Sequence, residues 1–198
     1  LGDVELNTTT GAVVGRTDAD GYLQGIAAFD PTSRTLLYHN RLADLKSTWQ
    51  ATIASDGRGY AQAQFGTPDL VQIVDGDDGQ QRWTVTPTLP DLRWMGWARD
   101  GLLAVLSRGQ APARGAVAPH ALDIVVRGRI ERTIHIPQHE IRAPNSSLPD
   151  VQPVAWSPDG QTIAVLLDER IVRLFDVSRG TELASFDAPV PAAPHGLP

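Results

Sequence analysis

Residues 151–187 read VQPVAWSPDGQTIAVLLDERIVRLFDVSRGTELASFD, and this stretch decides the fold. Val154, Ala155 and Trp156 run into Ser157-Pro158-Asp159-Gly160. Proline presets φ at the second turn position, aspartate bonds its own backbone and glycine tolerates positive φ, so these four residues reverse the chain. Thr162 to Leu167 is rich in β-branched and apolar residues and reads as a mostly buried strand. Asp168-Glu169-Arg170 turns again and Ile171 to Phe175 forms a third strand. Asp176 to Gly180 makes another turn, and Thr181 to Phe186 is a fourth strand with Leu183 and Phe186 directed inward. A single four-stranded meander cannot bury both of its faces and needs neighbours of the same kind.

The segment VAWSPDGQTIAVLLDERIVRLFDVSRGTELASF resembles one blade of a WD40-type β-propeller. In that family a strand precedes an SPDG turn and a Trp-Asp pair ends the third strand; Phe175-Asp176 stands where that pair would be. The resemblance implies a fold rather than a function.

Weaker copies precede it. Gly25 to Tyr38 repeats the first hairpin, with Phe29 in the place of Trp156 and Pro31 in that of Pro158. Leu92 to Leu106 repeats it again, with Trp97 for Trp156 and Asp100-Gly101 for Asp159-Gly160. Asp3 to Val14 lines up with the third and fourth strands, Asn7 falling where Asp176 does. Trp49 to Phe65 and Leu70 to Val85 read as two more hairpins, and in the second of them Asp75 precedes Gly79 by four residues, as Asp176 precedes Gly180. His39 to Ser47 reads as a loop or short helical turn, and Gly109 to Pro119 as an exposed insertion.

The expected fold is therefore all-β, a propeller-like array of about three and a half to four four-stranded blades. The expected division is a half blade over 1–20, blades over 21–87, 88–138 and 150–187, and a Pro-rich tail or linker over 188–198. Counting the hairpin at Ile53 as its own degenerate blade gives four. A ring of six to eight blades needs roughly 250 residues or more. The blades form either a small closed ring or an arc completed by another chain or by the rest of a longer protein, and the start at Leu1 reads as an excised piece.

Composition narrows the function classes. The 198 residues are 41% hydrophobic and 20% charged, with 18 Gly and 15 Pro, an ordinary globular balance rich in turns. A net charge of −6 argues against broad nucleic-acid binding, which needs a basic face, although Arg127, Arg129, Arg132 and Arg142 cluster. The lack of cysteine excludes a disulfide scaffold and thiolate metal sites. No run of 18 apolar residues is present to span a membrane.

Chemistry is sparse. Asp18-Ala19-Asp20-Gly21 and Asp75, Asp77 and Asp78 offer oxygen ligands, but a calcium loop wants further carboxylates at fixed offsets and polar turns use the same residues. His135 and His139 are four apart with Pro137 between them, which defeats a helical metal pair. Nucleophile elbows, P-loops and dinucleotide fingerprints are absent. Asn7-Thr8-Thr9 and Asn145-Ser146-Ser147 fit the glycosylation pattern.

No cofactor and no catalytic or metal residue is expected. The favoured function is a non-catalytic protein–protein interaction or scaffold module, with other subunits or the rest of a longer chain as partners. The alternatives are an accessory propeller of a larger hydrolase of the prolyl oligopeptidase type and a calcium- or glycan-binding module. The expected partner surface comprises Trp94, Ile171, Arg173 and Phe175.

Overall fold

The computed structural model describes residues 4–6, 13–16, 25–30, 35–41, 48–54, 59–64, 69–75, 78–98, 101–114, 116–136, 153–167 and 170–187. They build four antiparallel sheets, each of four strands in sequence order. The first holds β1 (Val4–Leu6), β2 (Val13–Arg16), β3 (Gly25–Asp30) and β4 (Thr35–Arg41). The second holds β5 (Thr48–Ile53), β6 (Gly59–Gln64), β7 (Leu70–Asp75) and β8 (Gln81–Val85). In the third are β9 (Asp91–Trp97), β10 (Leu102–Arg108), β11 (His120–Val126) and β12 (Arg129–Ile136). The fourth contains β13 (Val154–Trp156), β14 (Thr162–Leu167), β15 (Ile171–Asp176) and β16 (Thr181–Asp187).

The sheet boundaries correct the sequence-based division. Residues 1–20 do not stand apart as a half blade, because β2 pairs with β3 from Val13↔Phe29 to Arg16↔Ile26. The hairpin after Phe29 thus supplies the third and fourth strands of its sheet. Hairpin Trp49–Phe65 opens a new sheet rather than enlarging the previous one. A tight turn fixes a hairpin locally, whereas which hairpins share a sheet depends on longer-range pairing that turn residues do not encode. Strand β4 also extends through His39 to Arg41, where a loop was expected.

Within the second, third and fourth sheets the register repeats. Ala61, Ala104 and Ala164 pair with Ile73, Ile124 and Leu174. Two residues on, Ala63, Leu106 and Leu166 pair with Val71, Leu122 and Val172. Each third strand meets the fourth through a bulge at the same place, between Ile73 and Val74, Ile124 and Val125, and Leu174 and Phe175. The turn glycines before those bulges, Gly79, Gly128 and Gly180, all have positive φ.

Two cores occupy the spaces between these sheets. Ala61, Ala63, Val71, Ile73 and Val85 of the second sheet pack on Leu92, Met95, Leu103, Val105 and Val125 of the third. On its other face, the third sheet sets Trp94, Ala104, Leu106, Leu122, Ile124, Ile134 and Ile136 against Val154, Ile163, Val165, Leu167 and Phe175 of the fourth. The third sheet is therefore apolar on both faces because it is covered on both. One indole joins each pair of first strands: Trp97 Nε1 donates to the Thr52 carbonyl at 3.3 Å, and Trp156 Nε1 to the Gly96 carbonyl at 3.2 Å.

In the second, third and fourth sheets the fourth strand is the most exposed. Strand β16 is exposed throughout, with Leu183 54% and Phe186 49% accessible, contrary to their expected inward direction. Fourth strands lie farthest from the joined first strands, where adjacent sheets diverge.

Polar groups hold the connections. Asp123 is wholly buried on β11; its carboxylate accepts bonds from the Thr88 amide at 2.7 Å and from the Thr88 and Thr133 hydroxyls at 2.6 Å each. That pins the link between β8 and β9 onto the third sheet. Asp123→Ala strands these donors, and a buried charge-assisted bond contributes roughly 1.5–3 kcal/mol. The expected loss is about 3 kcal/mol, read as a drop in urea midpoint at unchanged slope.

In the SPDG turn the Ser157 hydroxyl and the Gln161 amide both donate to Asp159 Oδ1, at 2.5 and 3.0 Å. The Ser157 hydroxyl bond, then the Gln161 amide, hold the Asp159 carboxyl below its usual 3.8. Asp176 is lowered likewise, first by the Ser178 hydroxyl and then by the Arg179 amide. A depressed folded pKa adds stability that is complete above the unfolded value and is lost as pH falls through the folded one. Urea midpoints should therefore decline on acidification below about 3.8. Asp159→Asn should lower the neutral midpoint and flatten that acid limb; an unchanged acid limb would remove the turn carboxylate from the account.

Candidate functional site

The divergence of the second and third sheets leaves a groove of about 1050 Å³. Its walls are apolar where the sheets approach, with Ala54, Ile73, Val74, Val125 and Val126, and Trp97 joins them from β9. Its rim is charged: Asp75 and Arg82 from the β7–β8 hairpin face Arg127, Arg129 and Glu131 from the β11–β12 hairpin. Trp83 on β8 lines it and stays 43% exposed, whereas Trp94 is buried and Trp97 and Trp156 are half-buried.

The β11–β12 turn shapes this rim. Only Arg127 and Gly128 separate the strands, and both have positive φ, 47° and 75°. That is the two-residue type I′ geometry, whose twist matches the flanking strands. Gly128 suits it without strain, and a side chain there would meet Trp83, whose Cβ and Cγ would lie 2.4 and 2.2 Å from an added Cβ. Arg127 is the one non-glycine residue with positive φ among the described residues. This conformation costs an ordinary L-residue roughly 1–2 kcal/mol, so an arginine is held where glycine or asparagine would fit more easily.

The charges divide into satisfied and open groups. Arg82 bridges Asp75 at 3.1 Å and Asp78 at 2.8 Å, so two of the carboxylates considered for a cation already hold a guanidinium. Asp77 lies outside the described residues, as do Asp18, Asp20, His139 and Arg142. No group of three or more potential metal-ligating side chains occurs among the described residues. Arg132 leaves the expected arginine cluster, reaching over the fourth sheet's turn to bond the Arg179 carbonyl at 2.9 Å. Arg127 and Arg129 remain exposed on the rim.

Chemically the groove pairs an accessible indole and an aliphatic wall with two guanidiniums. Such a surface takes an extended segment bearing an apolar anchor and acidic neighbours.

The residues expected to form a partner surface lie elsewhere. Trp94 is 4% exposed, in the core between the third and fourth sheets, with its ring against Gly96. Phe175 is buried in the same core and Ile171 packs on it. Arg173 is half-buried and pairs with Glu182 at 3.4 Å. The reason is the two-residue period of a strand: Arg173 sits opposite Val165, on the face turned to the third sheet. Sequence reasoning missed Trp83, whose position two residues before the end of a plain fourth strand gives no hint of exposure. The Arg127-Gly128 pair was the available signal, since a two-residue hairpin ending in glycine predicts a tight rim.

Comparison with known proteins gives fold and nothing finer. No protein-family profile matches the chain, and no curated protein does. Among solved structures, a chain in the crystal structure of the mitotic checkpoint complex is similar, with a TM-score of 0.59 at 16% identity. The similarity covers 94% of this chain and 49% of that one, so this chain spans about half the length of its neighbour. Among the described residues no helix is long and apolar enough to cross a membrane.

The contact between Trp83 and Gly128 is directly testable. Gly128→Ala forces a Cβ onto the indole at a positive φ, which combines overpacking with backbone strain, roughly 1–3 kcal/mol. The expected result is a lower thermal midpoint together with a red shift of the Trp83 emission, assigned by comparison with Trp83→Phe.

Proposed function

We propose that this chain is an arc of a WD40-type β-propeller and acts as a non-catalytic protein-interaction module, docking a partner segment in the groove between its second and third sheets. The observation that carries this reading is Trp83, an exposed indole beside the strained Arg127 on the rim of that groove. Strain kept at an exposed position points to use of the side chain rather than to folding. The repeated four-strand register and the likeness to a chain of a multiprotein complex agree with it.

Arg127→Asn separates binding from stability. Asparagine tolerates the left-handed region, so the variant should be as stable as the parent or more so by up to about 1 kcal/mol. Its partner capture, with Trp83→Ala in parallel, should fall sharply when quantified by mass spectrometry after cross-linking in the native host. If both variants retain the same cross-linked proteins as the parent, the groove is not the docking site.

A further inference from the structure

The second, third and fourth sheets share one register, so the links between their second and third strands compare directly. The last pairs before the link are Gln64↔Leu70, Arg108↔His120 and Leu167↔Ile171. Residues 65–69 make the crossing in the second sheet and 168–170 in the fourth, whereas the third uses 109–119. Five or three residues therefore suffice, and most of the longer segment serves no strand pairing.

The extra chain is nonetheless held in shape. At its base the Gly109 amide donates to the Pro119 carbonyl at 2.9 Å, and Ala118 is 2% exposed. At its tip the Ala116 amide donates to the Ala113 carbonyl at 3.0 Å. Pro112 and Pro119 fix two φ angles. Residues 110–114, 116 and 117 are all exposed, and five of them are apolar: Ala111, Pro112, Ala113, Ala116 and Val117. Val117 is 43% accessible. Solvated turns draw on Ser, Asn, Asp and Gly, yet no Ser, Thr, Asn, Asp or Glu occurs from Gly109 to Pro119. A constrained apolar loop on a rigid sheet is suited to recognition, because little freedom is left to lose on binding. Arg108 at the base and Arg114 at the tip are the only charged residues from Leu106 to Leu122, in a chain of net charge −6.

We infer that residues 110–117 are a recognition loop that inserts into an apolar cleft of a partner protein rimmed by carboxylates, one of which pairs with Arg114. The sign of the loop's charge selects an acidic receptor. Its side chains select a protein. A lipid surface is held by Trp, Phe or Leu beside several basic residues, and a nucleic-acid strand by aromatic platforms beside several basic residues; residues 109–119 hold a single Arg and none of those apolar types. The groove of a second copy is a poor receptor, since its rim already carries Arg127 and Arg129. The loop and the groove are separate sites. The far ends of β10 and β11, Leu102↔Val126, lie at the groove, and the seven residues of β10 set the loop about 20 Å away.

The test places a photo-cross-linking amino acid at position 117 of the full chain in its native host and identifies the joined peptide by mass spectrometry. The expected product is a peptide of another protein that contains Asp or Glu. That protein, purified, should bind the parent chain, and Arg114→Glu should raise the Kd roughly tenfold or more, since a charge-assisted pair is replaced by like charges. Arg114 is exposed, so the thermal midpoint of this variant should match the parent and exclude misfolding as the cause. Cross-links only within this chain, to a second copy, to lipid or to nucleic acid would overturn the inference, as would an unchanged Kd for Arg114→Glu. Trp83→Ala, measured against the same partner, should leave the Kd unchanged; a loss there with none from Arg114→Glu assigns that partner to the groove instead, so failure of the loop and failure of the groove are distinguishable.

Discussion

Two indole N–H groups set the geometry on which the rest depends. Trp97 and Trp156 each close a first hairpin and reach back to a carbonyl on the preceding sheet. The bond itself contributes only about 1 kcal/mol. Its weight lies in direction: it fixes how far one first strand sits above the next and so which apolar rows meet. Burial of those rows supplies the energy, at roughly 1.5–3 kcal/mol for each large side chain. A weak directional contact selects the register and a strong non-directional one holds it.

Joining sheets at their first strands obliges them to part at their fourth. The gap is bridged twice by different means, an indole against Gly128 in one case and an arginine bonded to the Arg179 carbonyl in the other. Where the bridge is an indole the gap stays open enough to form a groove; the residue at the same register position on the third sheet, Arg132, spans its gap and bonds the far turn. Trp83 and Arg132 pair with equivalent isoleucines, Ile73 and Ile124. A single substitution at an equivalent position thus distinguishes a candidate binding site from a structural brace.

Much of the architecture is legible in turn chemistry. Asp159-Gly160, Asp100-Gly101 and the glycines at 79, 128 and 180 locate hairpins correctly because each encodes a local backbone conformation. Assignment of hairpins to sheets fails at the first repeat, where β2 pairs with β3 and the polar turn residues Asp18 to Gly21 between them do not encode which strands share a sheet. The site is less legible still. Trp94, expected at a partner surface, is buried, while the exposed Trp83 carried no expectation of its own. What separates them is how closely the neighbouring sheet covers each: Trp94 lies in the core against the fourth sheet, whereas Trp83 stands by the third sheet's Gly128 turn at the open rim of the groove.

The sequence by itself determined that this is an all-β chain of repeated four-strand units, since strand period, turn residues and the recurrence at Trp97 and Trp156 are local properties of the chain. It also determined that such a unit cannot bury both of its faces without neighbours. Tertiary structure alone decided which of those faces is covered, because coverage belongs to the neighbour and not to the strand. For β15 the difference is one residue: Ile171, Arg173 and Phe175 turn toward the third sheet, while Val172 and Leu174 stand on the opposite face, half-buried. Alternation dictates that two such sets exist, and only the packing of one sheet on the next assigns them.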